Sequence, residues 1–279
     1  MDAEQTPRVV VVRTAADRAR AVIDRRPILC AVLLTLAWYV VLFGLAEAIA
    51  SWQPHWFPDL GYTLINLSAA AVPIGLILWL GWTRSAGLIW RRPDRSWWLV
   101  TPLVLEAVSY SLDGVVGTTR ELLSAAVLYI ALGISEEALS RGLVQRVLAV
   151  LGPVRAAVGV ALLFGAGHTL SGLWFSQPMG DTIFITINAA AFGFACAALR
   201  WHLRTIWPLV GVHALGDFLQ ILSPGNLPFG VRVAYLLSFI GYGWWLLRRL
   251  PEDATGVPSK SSPAPLATRQ AQDGGNGSS

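Results

Sequence analysis

ELLSAAVLYIALGISEEALSRGLVQRVLAV, residues 121–150, runs apolar on both sides of three charges, Glu136, Glu137 and Arg141. About 20 apolar residues in a row cross a hydrocarbon core of roughly 30 Å as one helix. This stretch is longer than that, so its last turns are expected to emerge at the interface. Charges at that depth cost several kcal/mol unless paired or hydrated, which makes each one a candidate for chemistry.

The rest of the chain sets this stretch in context. The protein has 279 residues, 54% hydrophobic and 14% charged, with a mean hydropathy of +0.55. Such a composition excludes an ordinary soluble domain. Seven further apolar stretches follow the same pattern, at 28–50, 60–83, 97–112, 154–175, 181–200, 205–222 and 230–250. The expected fold is therefore an all-α polytopic membrane protein with about eight transmembrane helices, the core helices enclosing an intramembrane cavity. Its parts are a cytoplasmic segment at 1–27, a transmembrane domain at 28–250 and a tail at 251–279. The tail is rich in Pro, Ser, Gly and Ala and is expected to be disordered. The first segment, with its VVVV run, reads as loose or as an interfacial helix. Residues 28–50 are too long for the apolar region of a cleaved signal peptide and read as a retained span.

Cytoplasmic loops retain positive charge. With eight spans and an internal N-terminus, 19 of the 21 basic residues fall in internal segments, leaving Arg120 and Arg232 outside. Both termini are then cytoplasmic. Trp52, Trp56 and Trp174 fall near outer ends, and Trp82, Trp90, Trp97, Trp98, Trp201 and Trp207 near inner ones, as interfacial rings should. The pI of 9.4 thus has its source in membrane flanks, and a nucleic-acid partner is not expected. Twenty arginines against one lysine suggest a GC-rich bacterial genome, hence a bacterial plasma membrane. Cys30 and Cys196 read as small buried apolar residues on the reducing side.

Three polar clusters lie inside the spans: Glu136, Glu137 and Arg141; His168; and His213 with Asp217. Glu137 and Arg141 are i and i+4, the spacing of a helical ion pair, and read as structural. Glu136 points about 100° away around the helix, with no local cation, and reads as a general base. Asp217 lies one turn after His213 and is placed to orient its ring; Phe164 stands likewise beside His168. At 1.5 Å per residue, Glu136 and His168 each lie roughly 20 Å from the inner ends of their spans and His213 roughly 12 Å. The clusters are therefore expected in one cavity in the middle to cytoplasmic part of the bilayer. Glu106, Asn66 and Asn188 read as helix-to-helix hydrogen bonders, and Gly165, Gly167, Gly193, Gly211 and Gly216 as close-packing positions. His55 and His202 need no function.

EEALSR (136–141), FGAGH (164–168) and HALGD (213–217) together resemble the EExxxR, FxxxH and HxxxN/D motifs of the CAAX-protease and bacteriocin-processing (CPBP, or Abi) intramembrane endopeptidases. The resemblance covers roughly residues 120–225. It implies an eight-helix enzyme that hydrolyses a peptide bond in the membrane, with a membrane-embedded or lipidated peptide or protein as substrate. By position, Glu136 with His168 would activate water, His213 and Asp217 would position substrate or stabilise the oxyanion, and Glu137 with Arg141 would hold their span. The prenyl-protein branch has Asn where this chain has Asp217, and an ionised Asp donates no hydrogen bond. Asp217 would then be protonated, orient His213, or bind a metal. A Zn²⁺ held by His168, His213 and Asp217 is one reading, a metal-free glutamate and histidine mechanism the other. Competing functions are a proton-coupled transporter and a non-catalytic immunity or scaffold protein. Pro73 and Pro102 interrupt spans without the paired symmetry of a transporter.

Overall fold

With no water in the bilayer core to bond backbone N–H and C=O groups, long apolar runs must satisfy them internally, as helices. A computed structural model describes residues 14–49, 51–225 and 227–250 and shows this: the described residues are helical and connecting segments, without strands. The VVVV run and the tail at 251–279 lie outside the described residues.

In chain order the helices are α1 (Ala15–Arg25), α2 (Pro27–Ile49), α3 (Leu60–Trp79), α4 (Thr101–Ser109), α5 (Thr119–Glu137), α6 (Gln145–Leu148), α7 (Pro153–Trp174), α8 (Met179–Leu203), α9 (Trp207–Leu222) and α10 (Phe229–Arg248). Six of the spans, counting Thr119–Leu151 as one, are long and apolar enough to cross a membrane, and α9 is a shorter apolar helix. The stretch expected at 97–112 is composite. A 3₁₀ turn at Arg95–Val100 leads into α4, and a second at Tyr110–Asp113 follows it. Pro102 explains the break: it sits in the first turn of α4, where its missing N–H costs nothing.

Local signals set the helix starts. Thr118 and Glu121 form a capping box that begins α5, and Thr14 with Asp17 forms another at α1. The Asp17 carboxyl is held well below its usual range by Arg20 and Thr14. Gly152, with φ of 88°, turns the chain sharply before Pro153 opens α7.

Cross-links tie each end of the bundle. At one end, Arg20 Nη1 donates to the Leu80 carbonyl at 2.5 Å, Arg146 Nε to Ser85 Oγ at 3.2 Å, and the Ile206 amide to the Gly87 carbonyl at 3.0 Å. At the other, the Asp59 amide donates to Ser124 Oγ at 2.9 Å, the Val116 amide to the Leu222 carbonyl at 2.9 Å, and Arg120 Nη1 to the His55 carbonyl at 3.1 Å. The first end is the arginine-rich one.

α7 packs most extensively on α8. The approach depends on Gly165, where a Cβ would sit 2.8 Å from both the Thr186 carbonyl and the Ala190 Cβ. Gly167 is closed in more tightly still, by the Tyr39 ring, and Gly193 less so, with a Cβ there 3.1 Å from the Phe164 ring. Gly211 differs from expectation, with nothing within 4 Å, and Gly216 meets only the Ala107 Cβ at 3.9 Å. Val40, Leu162 and Leu237 stand exposed, as expected of a surface turned to lipid.

Candidate active site

α5 does not end where its charges begin. After Glu137 the helix widens into a π segment, Ala138–Val144, before resuming as α6. Insertions of this kind are rare and concentrate at functional sites. Every residue of the π segment is buried. Within it, the Ser140 hydroxyl donates back to the Glu136 carbonyl, and Arg141 Nη1 donates to Ser140 Oγ at 2.8 Å.

The ion pair expected from the i, i+4 spacing is present. Arg141 Nη1 lies 2.7 Å from Glu137 Oε1, and neither side chain is exposed to any extent. The same Glu137 oxygen also lies 2.9 Å from His213 Nδ1. A carboxylate held by a guanidinium is acceptor only, so the imidazole donates from Nδ1. Glu137 therefore does more than hold its own helix: it fixes the tautomer and orientation of a histidine on α9, turning His213 Nε2 toward the other acids.

Two carboxylates face that nitrogen. Glu136 Oε2 and Asp217 Oδ2 each lie 3.6 Å from His213 Nε2, near it but outside direct hydrogen-bond range. Glu136 Oε2 is buried and has no hydrogen-bond partner. An orphan acceptor of this kind is the position an ordered water would fill.

His168 takes part differently. Its Nδ1 lies 3.0 Å from the Phe164 carbonyl; a carbonyl only accepts, so Nδ1 donates and the Nε2 lone pair is left open. The Phe164 ring stands between the groups, its centroid 4.8 Å from the His168 ring and 5.9 Å from the His213 ring. The Arg141 guanidinium stacks 4.3 Å over it.

A cavity of about 250 Å³ is lined by His168, His213 and Asp217, and also by Glu106, Asn188 and Arg232. Glu136 lines a smaller neighbouring hollow with Tyr39 and Ser140, and Phe164 walls both. The structure thus brings Glu136, Glu137, Asp217 and His213 together, and sets His168 in the same cavity as His213 without a bond to Glu136.

The cavity lies nearer the other side of the bundle than expected from helix depth. Its walls come from the ends of α4 and α9 and the starts of α8 and α10, the end that carries Arg120 and Arg232 rather than the arginine-rich one. Roughly 20 Å along a crossing of roughly 30 Å is already past the midpoint.

Glu106 and Asn188, expected to bond neighbouring helices, line the cavity; Asn66 donates back to the Tyr62 carbonyl of its own helix, at 2.9 Å, and not across to a neighbour. Tyr39 had no sequence signal, because α2 is apolar on every side. Among the described residues, no three His, Cys, Asp or Glu side chains form a group able to hold a metal ion.

The segment that ends α5, with α7 and α9, thus brings the three motifs to two neighbouring hollows that Phe164 walls. Residues 118–219 match the Rce1-like family, type II CAAX prenyl endopeptidases. The match bears out the resemblance seen in EEALSR, FGAGH and HALGD, and the Rce1-like segment contains every residue of the three motifs. It spans under half of the chain. The curated proteins and the solved structures gave no match. Its apolar helices mark an integral membrane protein, and over residues 118–219 the chain is similar to peptidases of the Rce1-like family.

Proposed function

We propose that the protein is an intramembrane endopeptidase that hydrolyses a peptide bond of a membrane-associated peptide or protein, using water activated by Glu136. The observation that carries this reading is the buried, partnerless Glu136 Oε2, 3.6 Å from His213 Nε2. Water bound there donates one O–H to the carboxylate. As its oxygen attacks the scissile carbonyl carbon, Glu136 accepts the proton. When the C–N bond breaks, that proton passes to the leaving amine, directly or through the open Nε2 of His168. In its imidazolium form, with Nδ1–H on Glu137, His213 presents Nε2–H to the carbonyl oxygen as negative charge develops, the role of an oxyanion-stabilising donor. Asp217 orients that ring from the cavity side.

This route uses only the chain's own side chains. Arg232 supplies the cavity's guanidinium, which suits a carboxylate on the substrate. The arginine-rich end supports an orientation with that end cytoplasmic.

The test compares the peptide content of membranes holding the wild-type protein with that of membranes holding Glu136→Gln, by mass spectrometry. Glu136→Gln keeps shape and loses the base. Cleavage products present with the wild type and absent with a folded Glu136→Gln variant are expected; identical peptide contents would remove the assignment.

A further inference from the structure

A second polar cavity, of about 730 Å³, opens at the arginine-rich end of the bundle, and none of the motif residues lines it. It lies between the connection from α3 to α4 and the turn from α8 to α9. Arg84, Arg91, Arg92, Arg200 and Arg204 line it, with Trp90 and Trp201 beside them. Asp94 is its acid, and that carboxylate is already engaged by Ser96, accepting from the amide at 2.8 Å and the hydroxyl at 2.6 Å. Ser96, more than any arginine, holds the Asp94 carboxyl below its usual range. No carboxylate of the described residues pairs with Arg84, Arg91, Arg92 or Arg200.

Retention of positive charge on one membrane face explains why arginines occur in this region, but not why one of them is buried. Arg200 is only 8% exposed. Its Nη2 donates to the Ser85 carbonyl at 3.0 Å, while its Nε, like Trp201 Nε1, is a buried donor without a partner. A buried cation without a counter-charge is strongly unfavourable, and here several more converge on it. A smaller cavity of about 270 Å³ shares Ser85, Arg200 and Trp201 and extends inward to Arg141 and Arg146.

The walls are built to hold this shape. Gly87, with φ of 75°, leaves room for the Arg200 guanidinium directly over its backbone, where any Cβ would collide. Thr205 Oγ1 donates to the Gly87 carbonyl at 3.2 Å, and Trp207 Nε1 to the Leu88 carbonyl at 2.9 Å, pinning the loop to the start of α9. The guanidiniums of Arg84, Arg91, Arg92 and Arg200 and the unpartnered Trp201 indole N–H outnumber the one carboxylate among them, Asp94, and are complementary to an oxyanion with several acceptor oxygens. Arg favours phosphate for its planar, two-pronged donors, and basic pockets between membrane helices suit anionic headgroups.

We propose that this cavity binds a phosphate-bearing anion, supplied by the headgroup of an anionic lipid or by free phosphate. The test is retention of phosphatidylglycerol against phosphatidylcholine by the purified full-length protein, read by native mass spectrometry, with inorganic phosphate added in a separate arm. Phosphatidylglycerol is expected to be retained preferentially. Arg91→Gln with Arg92→Gln should lower that retention on the order of thirtyfold, taking about fivefold for each arginine near an anionic headgroup. Arg248→Gln with Arg249→Gln, at the same end but outside the cavity, should change it less than about twofold. Phosphate that strips the lipid and by itself raises the melting midpoint assigns the site to free phosphate; lipid that survives millimolar phosphate assigns it to the headgroup. Equal retention of the two lipids with no response to phosphate overturns the proposal. So does an equal loss in the Arg248 and Arg249 pair, which would reduce the effect to general surface charge. If the Arg91 and Arg92 variant does not fold, the wild-type lipid and phosphate arms still decide.

Discussion

Replacing Glu137 by Gln separates two roles that the structure assigns to one oxygen. Glu137 Oε1 bonds Arg141 Nη1 at 2.7 Å and His213 Nδ1 at 2.9 Å, and both ion-pair side chains are wholly buried. Glu137→Gln strands the Arg141 charge, at a cost of about 3–5 kcal/mol. It also lets the His213 ring change tautomer or rotate, and a misplacement near 1 Å costs on the order of a hundredfold in rate. A loss of activity in the single variant therefore proves little, because unfolding alone would produce it. The informative variant is Glu137→Gln with Arg141→Met, which removes both charges and keeps the volume against Phe164. Neutral replacement of a buried pair is often harmless to stability, so the melting midpoint should return to within about 1 kcal/mol of wild type. Activity should not return with it, because the Gln amide offers His213 a neutral oxygen or, flipped, an NH2 donor in place of the carboxylate that fixes Nδ1–H. The assay is thermal unfolding alongside cleavage of a peptide identified by the membrane comparison above. A double variant that recovers both stability and full turnover would show that Glu137 is purely architectural, and the positioning argument would fall.

Other expectations follow from the same geometry. Gly165→Ala forces a Cβ to 2.8 Å from the Thr186 carbonyl and the Ala190 Cβ, and should destabilise the α7 and α8 contact by about 1–3 kcal/mol, read as a lower melting midpoint. For a substrate with a free C-terminal carboxylate at Arg232, amidation should slow cleavage by roughly tenfold or more, the value of a charge-assisted bond. Arg232→Gln should abolish that difference between the two peptides, whereas a discrimination that survives the substitution would place the carboxylate elsewhere. If water is activated by Glu136 without a metal, chelation with EDTA or 1,10-phenanthroline should leave cleavage within about twofold. Loss of activity restored by added Zn²⁺ would contradict the metal-free route.

The α5 segment shows how far local information carries and where it stops. The i, i+4 spacing of Glu137 and Arg141 was enough to pair them, because neighbours on one helix face meet whatever surrounds them. The third partner, His213, is 76 positions from Glu137, and no local rule measures that separation. The π segment was likewise hidden, since its sequence, ALSRGLV, fits an α-helix equally well. Glu106 and Asn188 carried a polar signal without a direction, so their place in the cavity wall was left to packing. Tyr39 had no signal at all on the apolar α2.

What the sequence determined by itself is what depends on short range and on solvent: helices that satisfy their own backbone in lipid, the proline and capping-box starts, the split of arginines between two ends, and three motifs on three helices. Tertiary structure decided the rest. Only packing set which face each helix turns inward, so only packing placed Glu136 beside His213, gave His213 to Glu137, left His168 across Phe164, and put the cavity past the midplane. It also gathered arginines from distant segments into one donor-lined hollow, because convergence depends on how helices are assembled and not on the order in which their residues are strung.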